Sequence, residues 1–238
     1  MINNKKCVAV ITAAGSGKRM GSDRKKQFIE LFGKPVIAYT LEKFQNTDEI
    51  DDIILVMSED DIDFCRSEIV VKYGFSKVRE ILAGGAERQE SVYKGVIAAA
   101  KLGEIILIHD GVRPFVKRDE IVKTVEAADE KGAAILAVKV KDSLRSFDGT
   151  ESKFVPRENM WLVQTPQSFR RDIIVNAHKK AAEDGFSGTD DAVLAERMGC
   201  NIYLVEGSYE NIKITTPEDL VFSEAILKKE QEIENEES

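Results

Sequence analysis

The chain is expected to fold as an α/β protein built on a single doubly wound, mostly parallel sheet, with a β-hairpin arm projecting from it. Three observations predict this. Apolar, β-branched runs alternate with amphipathic helical patterns along most of the 238 residues, the pattern of helices covering both faces of a parallel sheet. The first run, Val8–Thr12, breaks into the small residues Ala13, Ala14, Gly15, Ser16 and Gly17 and then a cluster of cations. The third is a segment, 142–159, that breaks the alternation, with alternating charges and an Asp148-Gly149 turn signal between short extended pieces.

Taken in order, strands are expected at Val8–Thr12, Asp52–Ser58, Val78–Leu82, Ile105–His109 and Ala133–Val140, then at Met160–Thr165, Asn201–Val205 and Ile212–Thr215. Helices are expected from Pro35, a residue suited to a first turn, to Phe44, and over Asp61–Tyr73, Glu87–Lys101 and Arg118–Lys131. In the last, Ile121, Val122, Val125 and Ala128 share a face. The tail LKKEQEIENEES shows no apolar face and is expected to fray beyond about Lys228. The whole chain, 1–238, reads as one domain.

Composition narrows the function classes. Hydrophobic content of 43% and charged content of 32% are ordinary for a soluble protein, and no apolar run approaches a membrane span. The N-terminal MINNKK leads into the first strand without an apolar leader, so no secretory signal is expected. Cys7, Cys65 and Cys200 are odd in number and lack CxxC spacing, as in a cytoplasmic protein with reduced thiols. A net charge of −8 argues against general nucleic-acid binding. An anionic ligand would need a local cationic cluster.

That cluster is Lys18, Arg19, Arg24, Lys25 and Lys26. A buried strand, a small-residue loop and clustered cations suit a polyphosphate, although cations after a strand can also be a solvated face. Two familiar phosphate loops fail on spacing, because Met20 stands where either a dinucleotide fingerprint or a P-loop starting at Gly15 requires glycine. Four further stretches follow. Gly84-Gly85, with Arg88 and Ser91 just beyond, follows a strand and opens a helix. The glycines would free backbone to hydrogen-bond a planar ligand edge, or form a plain turn. Ile108-His109-Asp110-Gly111-Val112-Arg113 ends a strand with a carboxylate suited to Mg²⁺ and an arginine suited to phosphate, with His109 as a packed neighbour. Gln164-Thr165-Pro166-Gln167-Ser168-Phe169 is a polar strand end before a helix. Gly188-Thr189-Asp190-Asp191-Ala192 reads equally well as helix caps. Finally, Lys213 lies in a strand-like apolar run and needs a partner or a ligand phosphate.

The ordered set AAGSGKRM, Lys26, GGxxRxxSV, HDGVRPF, QTPQSF, GTDDA and NIKITTPEDL spans Ala13 to Leu220. It closely resembles the 2-C-methyl-D-erythritol 4-phosphate cytidylyltransferases of the non-mevalonate isoprenoid pathway, which join CTP and methylerythritol phosphate with Mg²⁺ and release pyrophosphate. The resemblance implies a Rossmann-like nucleotidyltransferase fold and a homodimer through the 142–159 arm. It implies that Ala13, Ala14, Gly15, Ser16, Gly17, Arg19 and Lys26 surround the triphosphate. Gly84, Gly85, Arg88 and Ser91 would hold the cytosine and ribose side. Asp110, the metal ligand, with Arg113, Ser143, Arg157, Thr165, Thr189 and Lys213, would meet the second substrate and the reacting phosphates. Arg19, Lys26 and Lys213 would be the catalytic cations. Ser143 and Gly111 depart mildly, standing where threonine and alanine are frequent.

The chemistry agrees with the inventory. A phosphate monoester loses its second proton near pH 6, so the nucleophile needs no general base, and the chain has only two histidines. Catalysis would rest on positioning and charge neutralisation. Two other readings remain at this stage. Ribitol-5-phosphate cytidylyltransferases look similar over many of the same motifs, although GGAERQESVYKG and GTDDAVLAERMG favour the isoprenoid enzymes. A silent nucleotide sensor is disfavoured by the retained lysines, Arg19 and Asp110.

Overall fold

The computed structural model describes residues 1–15 and 25–236. Strand β1 (Cys7–Thr12) is followed by a short turn at Lys26–Phe28, the two-residue strands β2 (Glu30–Leu31) and β3 (Lys34–Pro35), and helix α1 (Val36–Gln45). Then come β4 (Asp52–Met57), helix α2 (Ile62–Phe64), which widens into π turns over Cys65–Val71, and β5 (Val78–Ala83). Helix α3 (Arg88–Ala99), β6 (Ile105–Asp110), α4 (Arg118–Lys131) and β7 (Ala133–Lys139) continue the alternation. The arm is β8 (Leu144–Phe147) and β9 (Ser152–Val155), after which β10 (Trp161–Arg170) re-enters the sheet. Helices α5 (Arg171–Glu183) and α6 (Asp191–Arg197), strand β11 (Tyr203–Glu206) and helix α7 (Pro217–Glu236) complete the chain.

Seven strands form one sheet in the order β11-β7-β10-β6-β1-β4-β5. β1 pairs in parallel with β4 and β6, β4 with β5, and β7 with β11. β10 runs antiparallel to both of its neighbours. Residue parity distributes the core. Ala9, Ile11, Ile53, Leu55 and Leu107 face Ile37, Leu41 and Phe44 of α1 and Ile121 and Val125 of α4. Their alternates Val8, Val10, Ile54, Val56, Ile106 and Ile108 face Val92 and Val96 of α3 and Ile174 and Ala177 of α5. Strands buried on both faces explain the unbroken apolar runs. Chain order reverses at β1, whose neighbours are β4 and β6, so the switch point lies where their C-terminal ends meet. Burial pushes the Cys7 and Cys65 thiols up to about 11 and about 12, keeping both protonated.

Four expectations are corrected. The strand expected over Met160–Thr165 runs on to Arg170, so that QTPQSF is its C-terminal part, directly before α5. Ile212–Thr215 forms no sheet strand among the described residues. It is an extended segment whose Ile214 N–H donates to the Val112 carbonyl at 2.9 Å and whose Ile214 is buried against Phe115 and Leu227. The expected Asp61–Tyr73 helix is regular only over Ile62–Phe64 before widening. The tail is helical through Glu236, past Lys228 where fraying was expected. Leu227 anchors it in the core, and Lys229 pairs with Glu210 at 2.6 Å. Ser16, Gly17 and Arg19 lie outside the described residues.

Candidate active site

A cavity of about 450 Å³ opens at the switch point, beyond the C-terminal ends of β1 and β6. Its wall brings together Ala13, Ala14, Gly15, Lys26, Gly85, Arg88, Ser91, Asp110 and Lys213 from five separate sequence stretches. Thr12, Gln27, Ala86, Glu87 and Val112 line it too and were not singled out in the sequence. Gln27 was a legible clue: a polar residue after the cationic run, it is 1% exposed, and its Nε2 donates to the Ala13 carbonyl at 2.9 Å. It holds the start of the small-residue loop in place.

Asp110 is the electrostatic centre. Its Oδ2 lies 2.9 Å from Lys213 Nζ and 3.3 Å from Arg113 Nε. Burial alone would raise this carboxyl, but Lys213, Arg113 and Arg88 outweigh it and hold the group well below its ordinary range. Lys213 thus finds the partner that its apolar surroundings demanded. Both ion pairs fall on Oδ2. Arg113 is braced by Nη1 donating to the Asn211 carbonyl at 2.8 Å.

Behind Asp110, His109 is buried and packs against Phe44, with ring centroids 4.9 Å apart and planes tilted by 57°. Thr165 Oγ1 accepts from the Asp110 N–H at 3.1 Å and lies 3.1 Å from His109 Nδ1. His109 Nε2 is 3.0 Å from the Arg113 carbonyl, which can only accept. The consistent tautomer therefore has Nε2–H donating to Arg113 and the Thr165 hydroxyl donating to Nδ1. Burial lowers the His109 pKa to about 4, so the ring is neutral at pH 7. Thr165 is placed behind the wall, where it fixes Asp110 and His109.

The 84–86 loop turns its N–H groups inward. Gly84 N–H donates to the Met57 carbonyl, Gly85 N–H to Ser91 Oγ at 2.9 Å and Ala86 N–H to Glu90 Oε2 at 2.7 Å. Its backbone donors are engaged within the protein, and the Gly84 carbonyl accepts from Lys94 Nζ at 2.8 Å, so the loop's polar offer to a ligand is the carbonyls of Gly85 and Ala86. Gly84 is required by close approach, since a Cβ there would sit 2.7 Å from Ala14 Cβ and 2.8 Å from Ser91 Oγ. Ser143, Arg157 and Thr189 are exposed and do not line the cavity. Ser143 and Arg157 sit at the base of the arm, where Arg157 Nη1 donates to the Lys141 carbonyl. Thr189 precedes α6, whose N-terminus Asp190 caps by accepting from Val193 N–H at 3.0 Å. Asp191 is the functional neighbour that sequence reasoning left as a cap: its Oδ2 accepts from Arg88 Nη2 at 2.7 Å.

Comparison with known proteins converges. The sequence profile described as "IspD: 2-C-methyl-D-erythritol 4-phosphate cytidylyltransferase" matches residues 7–229. A 2-C-methyl-D-erythritol 4-phosphate cytidylyltransferase of Geotalea uraniireducens is 48% identical over 223 residues, covering 92% of this chain and 96% of that protein. Its counterpart in Clostridium acetobutylicum is also 48% identical, covering 93% and 97%. Among solved structures, the 4-diphosphocytidyl-2C-methyl-D-erythritol synthase of Anaerococcus prevotii superposes with a TM-score of 0.85 at 37% identity, covering 95% of this chain and 98% of that one. With the profile, the relatives and the fold in agreement, the chain belongs to the 2-C-methyl-D-erythritol 4-phosphate cytidylyltransferase family.

Proposed function

We propose that the protein joins CTP to 2-C-methyl-D-erythritol 4-phosphate, giving 4-diphosphocytidyl-2-C-methyl-D-erythritol and pyrophosphate. The observation that carries this reading is a cavity at the switch point whose wall concentrates Lys26, Arg88 and Lys213 in a chain of net charge −8. The acceptor phosphate is already ionised at neutral pH and attacks the α-phosphate in line with the departing pyrophosphate. Neither histidine lines the cavity, and His109 is hydrogen-bonded through both ring nitrogens, in keeping with a reaction that needs no general base. Lys26 and Lys213, with Arg19, neutralise charge as it shifts toward the leaving group. The loop carbonyls suit cytosine, whose 4-amino group is a donor.

The donor set fits Mg²⁺. No cluster of three or more His, Cys, Asp or Glu occurs among the described residues, and Mg²⁺ is commonly held by one or two carboxylates together with substrate phosphates. Asp110 is that carboxylate, and the bound ion would offset phosphate charge. Ala14, Gly15, Ser16 and Gly17 would lie along the triphosphate, and Arg113, Ser143, Arg157 and Thr189 toward the acceptor, with Thr165 acting from behind the wall through Asp110.

The arm supports a homodimer. A lone two-stranded hairpin is marginal in water, yet β8–β9 carries Phe147 and Phe154 at 69% and 64% exposure. Leu162 and Val163 at the start of β10 are exposed nearby in sequence. A second copy would cover such surface and bring Arg157 to its neighbour's acceptor phosphate. The enzyme is placed in the cytoplasm in this reading, with neither nucleic acid nor membrane as partner. No described helix is long and apolar enough to cross a membrane.

Parallel assays of pyrophosphate release test the reading. CTP with 2-C-methyl-D-erythritol 4-phosphate is expected to be turned over, while ATP, GTP or ribitol 5-phosphate as replacements are turned over poorly. Equal rates with a purine nucleotide would overturn the cytosine assignment, and faster turnover of ribitol 5-phosphate would overturn the acceptor.

A further inference from the structure

Arg88 reaches the cavity from the first turn of α3, and what holds it there is buried. Asp191, which accepts from Arg88 Nη2 at 2.7 Å, has no exposed surface. Its other oxygen, Oδ1, lies 3.2 Å from Nε2 of His178, which is 1% exposed, a close approach of two buried polar atoms outside hydrogen-bond geometry. The His178 ring stacks on Tyr93, with centroids 5.5 Å apart and planes 5° from parallel. Asp191 is itself fixed from behind, because Gln167 Oε1 accepts from the N–H groups of Asp191 and Ala192 at 3.1 Å each. Gln89, next to Arg88, donates to the Phe186 carbonyl and accepts from the Gly188 N–H, both at 2.9 Å. The first turn of α3 is thereby fastened at two points to the segment between α5 and α6.

Stability does not explain this arrangement, because well-packed apolar side chains often replace a buried ionic group without loss. What the carboxylate does accomplish is to restrict a guanidinium at the edge of the cavity. A free arginine side chain surrenders rotamer entropy on meeting a ligand, and an arginine already oriented surrenders less. We propose that Asp191, backed by Gln167 and with His178 packed against its second oxygen, is a positioning residue for nucleotide binding that holds Arg88 in place at the cavity wall. The inference rests on the reading of this cavity as the CTP site.

Steady-state kinetics with CTP varied at saturating acceptor test it. Asp191→Asn keeps the shape and removes the charge, and should raise KM for CTP by about tenfold or more, the worth of a hydrogen bond between charged groups. With chemistry untouched, kcat should stay within about threefold and KM for the acceptor should not move. In an Arg88→Met background the same change should add nothing, since both act through one side chain. His178→Phe, which keeps a ring on Tyr93 but loses the nitrogen, should raise KM for CTP more than His178→Gln. An unchanged KM in Asp191→Asn, or the same increase with and without Arg88, would show that Asp191 serves the fold alone and overturn the proposal. Should Asp191→Asn fold poorly, a wild-type KM in His178→Phe would overturn it equally. If wild type turns over CTP but Arg88→Met leaves its KM unchanged, the positioning role falls while the CTP site stands. If wild type does not turn over CTP, the site reading itself falls and this inference with it.

Discussion

Two side chains adjacent in sequence, His109 and Asp110, face opposite problems at the end of β6. Asp110 must stay charged where burial opposes charge, and Lys213 and Arg113 make that possible. Removing Lys213 therefore takes away a cation from the proposed reaction centre and half of the carboxylate's ion pairing. Lys213→Ala is expected to lower kcat by about a hundredfold, the loss typical of one charge-stabilising donor, with Arg113 still holding Asp110. A normally melting variant with near wild-type kcat would remove Lys213 from the reaction. His109 must instead stay neutral. Its folded pKa of about 4 lies below the ordinary 6.5, so the unfolded chain binds the extra proton first. Its contribution is therefore complete above pH 6.5 and is lost as pH falls toward 4. Asp110 has the same sign but a lower window, because its folded value lies below 3.8. Urea titrations between pH 7 and pH 4.5 should show stability falling by up to about 1.4 kcal/mol per pH unit, with a flatter line for His109→Gln. Identical slopes in the two proteins would mean that His109 does not resist protonation.

At the scale of elements, the arm is a hairpin whose large apolar side chains lack cover within one chain. Replacing Phe147 and Phe154 with serine should leave the melting of the isolated subunit unchanged, since both are exposed there. It should weaken the proposed dimer by about a hundredfold or more, as each buried aromatic contributes roughly 1.5–3 kcal/mol. Sedimentation across a concentration series reads this directly, and an unchanged dissociation constant would separate the arm from assembly. The arm was legible because its turn signal and charge alternation are local. So were β1, β4 and β6, whose residues are apolar at both parities, and α4, whose Arg118–Lys131 limits coincide with its periodicity. The direction of β10 was not read, although a clue was present: no helix lies between β7 and β10, and parallel neighbours need a crossover. Ile212–Thr215 misled because alternating burial imitates a strand even where no ladder forms. Helix α7 has no continuous apolar stripe, and its length depends on distant partners such as the Lys43–Glu230 pair at 3.3 Å. Asp191 escaped notice for the same reason. Its partner Arg88 is 103 positions away, and nothing local to GTDDA distinguishes a buried carboxylate from a cap.

For the whole molecule, the separation of Arg157 from the cavity bears most on the proposed mechanism. Lys26 lines the cavity, whereas Arg157 is exposed at the base of the arm. A single subunit therefore presents the nucleotide side of the proposed site without one of the acceptor's expected cations. If two copies associate about a two-fold axis, each arm can bring its Arg157 to the other copy's cavity, and a site then draws Lys26 and Arg157 from different chains. Lys26→Ala and Arg157→Ala, each nearly inactive alone, provide the test. In a mixed dimer one site would carry both lesions and the other neither. Random pairing would return about a quarter of all sites to wild-type composition. If Arg157 instead served its own subunit, every site in the mixed dimer would keep one lesion and activity would stay at the level of the single variants. Co-expression with two distinct affinity tags isolates the mixed species, in which half of the sites should then be active. No recovery in dimers shown to be mixed would sink the shared-site arrangement while leaving the cavity chemistry in place.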